Sequence, residues 1–204
     1  MGVLSSSKDT PERVCKPFAM DRDGFVLSEG AAMFVLETEE SCARRNQSPI
    51  AELVGFASNC DAKSLTSPEL KGISQAIQKA LKDAKISPVD VDCINLHGTG
   101  TKLNDQTEGA AIKKIFGNQI PLCSANKSQL GHSMGAASAI EAVVSVLSIQ
   151  HQIVPPSLNC QPADPVCHLQ NLSPVSQKHK IQNVLSNSFA FGGSNACLLF
   201  SSCN

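Results

Sequence analysis

Short apolar runs alternate along this chain with longer stretches in which apolar residues recur at helical spacing, and that alternation admits few architectures. Residues 31–37 follow Gly30 and read as a strand, and residues 51–58 read as a second. Over residues 68–85 the apolar positions Leu70, Ile73, Ala76, Ile77, Ala80, Leu81 and Ala84 share a helical face, with a stop expected at Ile86-Ser87-Pro88. Residues 91–96 form a short buried strand that ends at His97. Residues 105–116 are a helix opening after Asn104 and closing at Gly117. Residues 121–124 are strand-like, residues 131–151 are a long apolar helix, and a connection containing Pro155-Pro156 follows. Residues 184–189 and 196–200 flank Gly192-Gly193 as a closing strand pair. Strands interleaved with helices make an α/β layered domain.

A chain of 204 residues fits one domain, or one large piece of one. With 17 Lys plus Arg against 18 Asp plus Glu, nothing points to nucleic acid or an anionic membrane. The absence of Trp and Tyr also removes the usual stacking platforms for single strands. No apolar run is long enough to span a bilayer and no signal-peptide pattern opens the chain, so a cytoplasmic location is expected. The 9 cysteines are odd in number and lack CxxC pairs, so free cytosolic thiols are expected, with no metal site.

Two histidines stand out. His97 lies in Asn95-Leu96-His97-Gly98-Thr99-Gly100-Thr101, and His132 in Lys127-Ser128-Gln129-Leu130-Gly131-His132. A histidine at a strand end is more often a hydrogen-bonded structural residue than a catalyst. The Gly-Thr-Gly-Thr run lacks the lysine and spacing of a phosphate loop. Its threonines either hold a polar, chain-like ligand or simply form a tight turn. His132 is expected in the first turn of the 131–151 helix, whose positive end disfavours imidazolium. A neutral imidazole there can donate to an oxyanion, while the plain alternative is an exposed helix-start residue. Glu141 falls nearly opposite His132 on that helix, so contact between them is not expected. If buried, Glu141 needs a partner such as Lys127. Taken alone, Lys127, Glu108 and Glu141 also read as surface charges. The small-residue run at 135–139 suits a central buried helix. Phe189-Ala190-Phe191-Gly192-Gly193 is compatible with a gate, an oxyanion-binding turn or a β-turn with core phenylalanines.

Together the segments resemble the C-terminal half of the β-ketoacyl-acyl carrier protein synthases, the condensing enzymes of fatty-acid and polyketide synthesis. The resemblance runs through Lys16-Pro17-Phe18, Asp21-Arg22-Asp23-Gly24-Phe25, Glu29-Gly30-Ala31 and Glu52-Leu53-Val54-Gly55-Phe56. It continues through His97 to Thr101, Asp105 with Glu108, Lys127 with Gly131-His132, and Asn187-Ser188-Phe189-Ala190-Phe191-Gly192-Gly193-Ser194-Asn195.

The resemblance implies a thiolase-like layered fold. Residues 1–45 would be a remnant of the N-terminal half, and residues 46–204 the C-terminal domain. It implies decarboxylative condensation of an acyl thioester with malonyl carrier protein at a Cys-His-His site. His97 and His132 would hold the oxyanion, with Lys127 and Glu108 as charged support and Glu141 and Asp105 assisting. Thr99 and Thr101 would bind the phosphopantetheine arm of acyl carrier protein. Phe191, with Phe189 and Gly192, would form the gate and an oxyanion-binding turn. No cofactor is implied beyond that carrier-borne arm. The implied partners are acyl carrier protein and a complementary N-terminal half or related subunit, in a homo- or heterodimer.

One part is missing. The family's nucleophilic cysteine sits in an Ala-Cys-Ser-like elbow, which this sequence lacks, so no nucleophile is expected here. The chain alone is therefore expected to be inactive. A non-catalytic partner of a condensing complex is the alternative, and a Ser-His hydrolase is disfavoured by the absence of a GxSxG elbow.

Overall fold

The computed structural model describes residues 3–203 and shows how the alternation resolves into layers. Two short helices come early, α1 (Pro11–Val14) and α2 (Glu39–Arg44), followed by strand β1 (Glu52–Cys60) and helix α3 (Leu70–Ala84). Then come β2 (Cys93–Asn95), α4 (Lys102–Phe116), β3 (Leu122–Ser124), α5 (Lys127–Leu130) and α6 (Ala137–His151). A two-stranded ribbon of β4 (Ile153–Val154) and β5 (Gln177–Lys178) precedes the hairpin β6 (Asn183–Ala190) and β7 (Ser194–Ser201).

The main sheet runs β1-β7-β6-β2-β3. Strand β2 is parallel to both β3 and β6, whereas β7 is antiparallel to β6 and β1. The period-two alternation of a strand then sorts residues onto faces. Ile94 and Leu96 face the core beneath α3 and α4, with Ile73, Ile77, Ile112, Leu185 and Leu199. Cys93 joins Ala142, Ile149, Val184 and Phe200 beneath α6. Asn95 falls on the α6 side too, where it meets Glu141 and Ser145. The sheet thus has helices on both faces. Parallel ends at β3, β2 and β6 place the loops after them along one edge, where open α/β sheets bind ligands.

Several expected boundaries shift for identifiable reasons. Helix α3 ends when Lys85 turns left-handed (φ 56°), ahead of the proline. Helix α4 begins at Lys102 instead of residue 105, because Thr101 is still extended and the chain can enter the helix immediately after it. The helix expected over 131–151 begins at Ala137. Gly131 (φ 69°) and Met134 (φ 51°) break the backbone before it, and a 3₁₀ turn at Met134–Ala136 leads in. His132 therefore precedes the helix and is not in its first turn. Residues 31–37 pair with no strand and are exposed along almost their whole length. Their side-chain pattern suits a strand, but no neighbouring strand in the described residues offers the hydrogen bonds. All 9 cysteines are free thiols. No helix among the described residues is long and apolar enough to cross a membrane.

Candidate active site

The site is assembled at the parallel ends of β2 and β3. His97 follows β2 by two residues and keeps its parity with Asn95. Its backbone N–H donates to Glu108 Oε1 at 2.9 Å, and that of Gly98 donates to Glu108 Oε2 at 2.9 Å. Asn187 of β6 donates from Nδ2 to the same Oε1 at 3.1 Å. One carboxylate on α4 therefore fixes the turn that carries His97. Glu108 is fully buried, and burial pushes its carboxyl up to about 7 despite those donors.

Asp105, one turn earlier on α4, braces the other side of the loop. It accepts from the backbone N–H of Phe18 at 2.8 Å and of Gly100 at 3.2 Å, and its Oδ2 lies 3.3 Å from Arg22 Nε. Burial raises its carboxyl above the usual range, with the Phe18 N–H and the Arg22 guanidinium pulling the other way. Arg22 also donates to the carbonyls of Ala19 and Lys102 and to Asp164.

Lys127 sits at the start of α5, just after β3, and is 1 % exposed. Its ammonium donates to Glu141 Oε1 and to the His97 carbonyl at 2.6 Å, and lies 3.3 Å from His97 Nδ1. Glu141 is raised by burial and held down by Lys127, while its Oε2 has no hydrogen-bond partner. The two residues expected to need each other when buried do meet.

The two imidazoles share one cleft wall, with ring centroids 5.7 Å apart and planes at 85°. Phe189 packs edge-on to His97 at 5.6 Å, and Phe25 edge-on to His132 at 4.9 Å. The Nδ1 of His132 accepts the Met134 backbone N–H at 3.1 Å. His97 Nδ1 faces the Lys127 ammonium, which has only protons to offer. Each ring thus carries its own proton on Nε2 and can donate it. Burial, then Lys127, holds His132 down to about 4, and burial, Lys127 and His132 hold His97 well below its ordinary value. Both stay neutral at pH 7. For His132 this outcome matches the expected state but not the expected cause, since burial does the work of the helix end.

The cleft has a volume of about 410 Å³. Thr99 and Thr101 line it with their hydroxyls 2.9 Å apart. Phe191, 44 % exposed, stands at its mouth in a turn where Gly192 (φ 79°) and Gly193 (φ 78°) take left-handed backbone that suits glycine. The Gly192 N–H is already donated to the Leu65 carbonyl at 2.9 Å, so Gly192 supplies backbone freedom, not an oxyanion donor, in this arrangement. Phe189, buried and edge-on to His97, also lines the cleft.

None of the cleft-lining residues is a cysteine. The Cys15 thiol donates to the Lys127 carbonyl at 2.9 Å, and burial pushes it up to about 11. Burial likewise pushes Cys93 and Cys167 up to about 12. No cluster of three or more His, Cys, Asp or Glu suited to a metal occurs among the described residues.

Sequence reasoning missed the amide network behind the histidines. Asn126 donates to Asn95 Oδ1 at 2.6 Å, and Asn95 donates to the Glu141 carbonyl at 2.8 Å. The available signal was a polar residue at the same parity as His97 in an otherwise apolar strand.

The same fold recurs in known proteins. The profile of the family "Beta-ketoacyl synthase, C-terminal domain" matches residues 50–161, and that of the "Beta-ketoacyl synthase, N-terminal domain" matches residues 1–41. The chain is 43 % identical over 203 residues to 3-oxoacyl-[acyl-carrier-protein] synthase 2 of Coxiella burnetii, covering 98 % of this chain and 49 % of that protein. A crystal structure of a β-ketoacyl synthase from Burkholderia phymatum superposes with a TM-score of 0.96 at 35 % identity, covering 100 % of this chain and 50 % of that one. The ishigamide ketosynthase/chain length factor superposes at 0.94 with 40 % identity, again covering 100 % of this chain and 49 % of the other. The chain spans about half the length of the relatives it matches. Sequence profile and fold agree: this chain belongs to the β-ketoacyl synthase family and has its thiolase-like fold.

Proposed function

We propose that this chain supplies the charge-stabilising part of a decarboxylative Claisen condensation between an acyl thioester and a malonyl thioester carried on acyl carrier protein. The observation that carries this reading is the pair of neutral imidazoles on one cleft wall, each with Nδ1 engaged and Nε2–H left to donate. When the malonyl carboxylate leaves as carbon dioxide, the electron pair of the broken C–C bond moves onto the thioester oxygen as an enolate. Two N–H donors aimed at that oxygen lower the barrier, as an oxyanion hole does. The enolate carbon then attacks the acyl carbonyl, and the thiolate that held the acyl group leaves.

Neutral rings suffice for this role. An imidazolium at either position would also donate, but charging it in this buried site is costly. Lys127 and Glu141 hold His97 in position, Glu108 fixes the backbone beneath it, and Asp105 braces the Thr99 and Thr101 turn. Those hydroxyls would bond the polar phosphopantetheine arm. Phe191 would admit or exclude the acyl chain. The nucleophile would come from a Cys-bearing half, since no cysteine is among the residues that line the cleft. The same reading assigns residues 1–45 to the N-terminal half and 46–204 to the C-terminal domain, in a soluble homo- or heterodimer. The family matches at 1–41 and 50–161 support that division.

The alternative, a non-catalytic partner of the chain-length-factor kind, has a likeness in its favour. It gives no reason for the intact contacts among His97, His132, Lys127 and Glu108. Reconstitution separates the two. With a Cys-bearing half, acyl carrier protein and malonyl carrier protein, the chain should give β-ketoacyl product, and it should give none alone. His97→Ala should slow malonyl decarboxylation by roughly 10²–10³-fold. Unchanged decarboxylation in that variant rules the catalytic reading out.

A further inference from the structure

Glu108 has a third donor in Asn187, and Asn187 in turn has a partner of its own. Asn187 lies on β6 directly opposite Cys197 of β7 in the antiparallel register. It has the parity of Leu185 and Phe189, both in the core beneath α3 and α4, and Cys197 joins that core from the neighbouring strand. A buried amide in an apolar row is costly unless both of its ends are bonded. Asn187 is fully buried, and each end has one partner among the described residues. Its Nδ2 donates to Glu108 Oε1 at 3.1 Å, and its Oδ1 accepts from the Cys197 thiol at 3.4 Å.

The two ends of an asparagine amide are alike in shape but opposite in chemistry. Turned over, Asn187 would set a carbonyl oxygen against the Glu108 carboxylate and an NH₂ against a thiol, which is a weak acceptor. An ionised Glu108 forbids that by itself, because a carboxylate only accepts. A protonated Glu108 does not. Both of its oxygens already receive a backbone N–H, from His97 and from Gly98, so its new O–H needs an acceptor. A turned Asn187 offers one. Glu108 titrates at about 7, so both forms occur near neutral pH. In the protonated form only the thiol holds the amide as it stands. Burial, and after it the Glu108 charge, keeps the Cys197 thiol protonated and therefore a donor.

We infer that Cys197 is a positioning residue: by donating to Asn187 Oδ1, its thiol keeps the amide NH₂ turned toward Glu108, and so favours the ionised carboxylate that holds the His97 turn. The other ionisable groups around Glu108 act differently. Asp105, one turn earlier on α4, raises Glu108 through its charge, and Arg22 pairs with Asp105. Cys123 of β3 and Cys167 of the turn at Pro165–Cys167 feel the Glu108 charge, and burial holds both protonated. The His97 ring is neutral and faces Lys127. Among the described residues none of these is bonded to the Asn187 side chain, so none can set its orientation. As a statement about catalysis the inference rests on the reading of His97 as an oxyanion donor. Its test needs no substrate, so its failure would leave that reading standing.

An NMR titration of the full chain carrying ¹³C at the glutamate carboxyls reads the link, with Glu108→Gln assigning the Glu108 signal. Cys197→Ala frees the amide to turn and accept from the protonated carboxyl, so the Glu108 midpoint should rise by about half a pH unit or more, the worth of one net hydrogen bond. Cys197→Ser keeps a donor and should hold the midpoint within about 0.2 units of wild type. Both variants remove volume from the core and should melt below wild type, so melting does not decide between positioning and packing. Where the alanine variant does not fold, Cys197→Val, which leaves no cavity and has no donor, takes its place with the same expected rise. A wild-type midpoint in the variant without a donor overturns the inference. An equal rise in Cys197→Ser also overturns it, since lost packing would then be the cause.

Discussion

Replacing Lys127 by Met removes one ammonium and nearly nothing in volume, and the structure says what is then left behind. Lys127 and Glu141 have side chains only 2 % and 3 % exposed. Glu141 has no other partner, since its Oε2 is already unbonded. The variant thus buries an unpaired carboxylate and also loses the bond to the His97 carbonyl. Breaking a buried pair from one side costs about 3–5 kcal/mol. For a domain of this size that is a drop of roughly 6–20 °C in Tm. The carboxyl can relieve itself by taking a proton, so the penalty should be smaller at pH 5 than at pH 8. The sign follows from linkage. With its folded-state affinity for a proton raised further, Glu141 costs stability as pH rises above its unfolded value. Urea denaturation followed by circular dichroism reads the loss. The double variant Lys127→Met, Glu141→Leu should recover most of it, because apolar replacements of a buried pair are often neutral or better. A single-variant loss under about 1 kcal/mol, or losses that add within about 0.5 kcal/mol, would refute the coupling.

Glu108→Gln keeps the volume but turns an NH₂ toward the His97 or Gly98 N–H, so it should cost about 1–3 kcal/mol in the same assay. Glu108 binds its proton more tightly folded (about 7) than unfolded, so its contribution to wild-type stability falls as pH rises toward 7. The Gln penalty should accordingly narrow from pH 5 to pH 8, and a constant penalty would show that Glu108 does not titrate in that window. For His132 the sign is opposite. Its folded value near 4 lies below the ordinary one, so its stabilising contribution is complete above about pH 6.5 and is lost as pH falls toward 4. An NMR titration should place the His132 midpoint near 4, and a midpoint at 6 or above would contradict the neutral donor. Gly109→Ala should destabilise by about 1–3 kcal/mol or more, because the new Cβ would lie 1.9 Å from the Cys167 carbonyl oxygen. An unchanged Tm there would mean that α4 can move away from the turn at Pro165–Cys167.

What the sequence disclosed, and what it hid, follows from the range of each interaction. Apolar spacing located β1, α3, β2 and the β6–β7 pair to within a few residues, because those patterns are local. The pairing of Lys127 with Glu141 was legible from a general rule, that a buried carboxylate needs a cation. Helix α6 was overextended because Gly131 and Met134 do not announce their left-handed backbone; an apolar run looks the same on either side of a break. Asn187 reaches Glu108 across 79 positions of sequence, and no local spacing encodes that contact. The strand expected at 31–37 is not formed among the described residues: its side chains suit one, but a strand's neighbours are set by topology.

The depth of the Lys127–Glu141 pair has a consequence for ionic strength. Mobile ions screen charges across water, over a Debye length of about 8–10 Å in ordinary buffers. They cannot enter a space from which water itself is nearly excluded. The contact of Lys16 with Asp9 and Asp21, whose carboxylates are 47 % and 62 % exposed, should fade as salt is added. The field that Lys127 sets up at His97 should not. Added salt ought then to weaken the surface contacts of Lys16 while leaving the field at the histidines as it was.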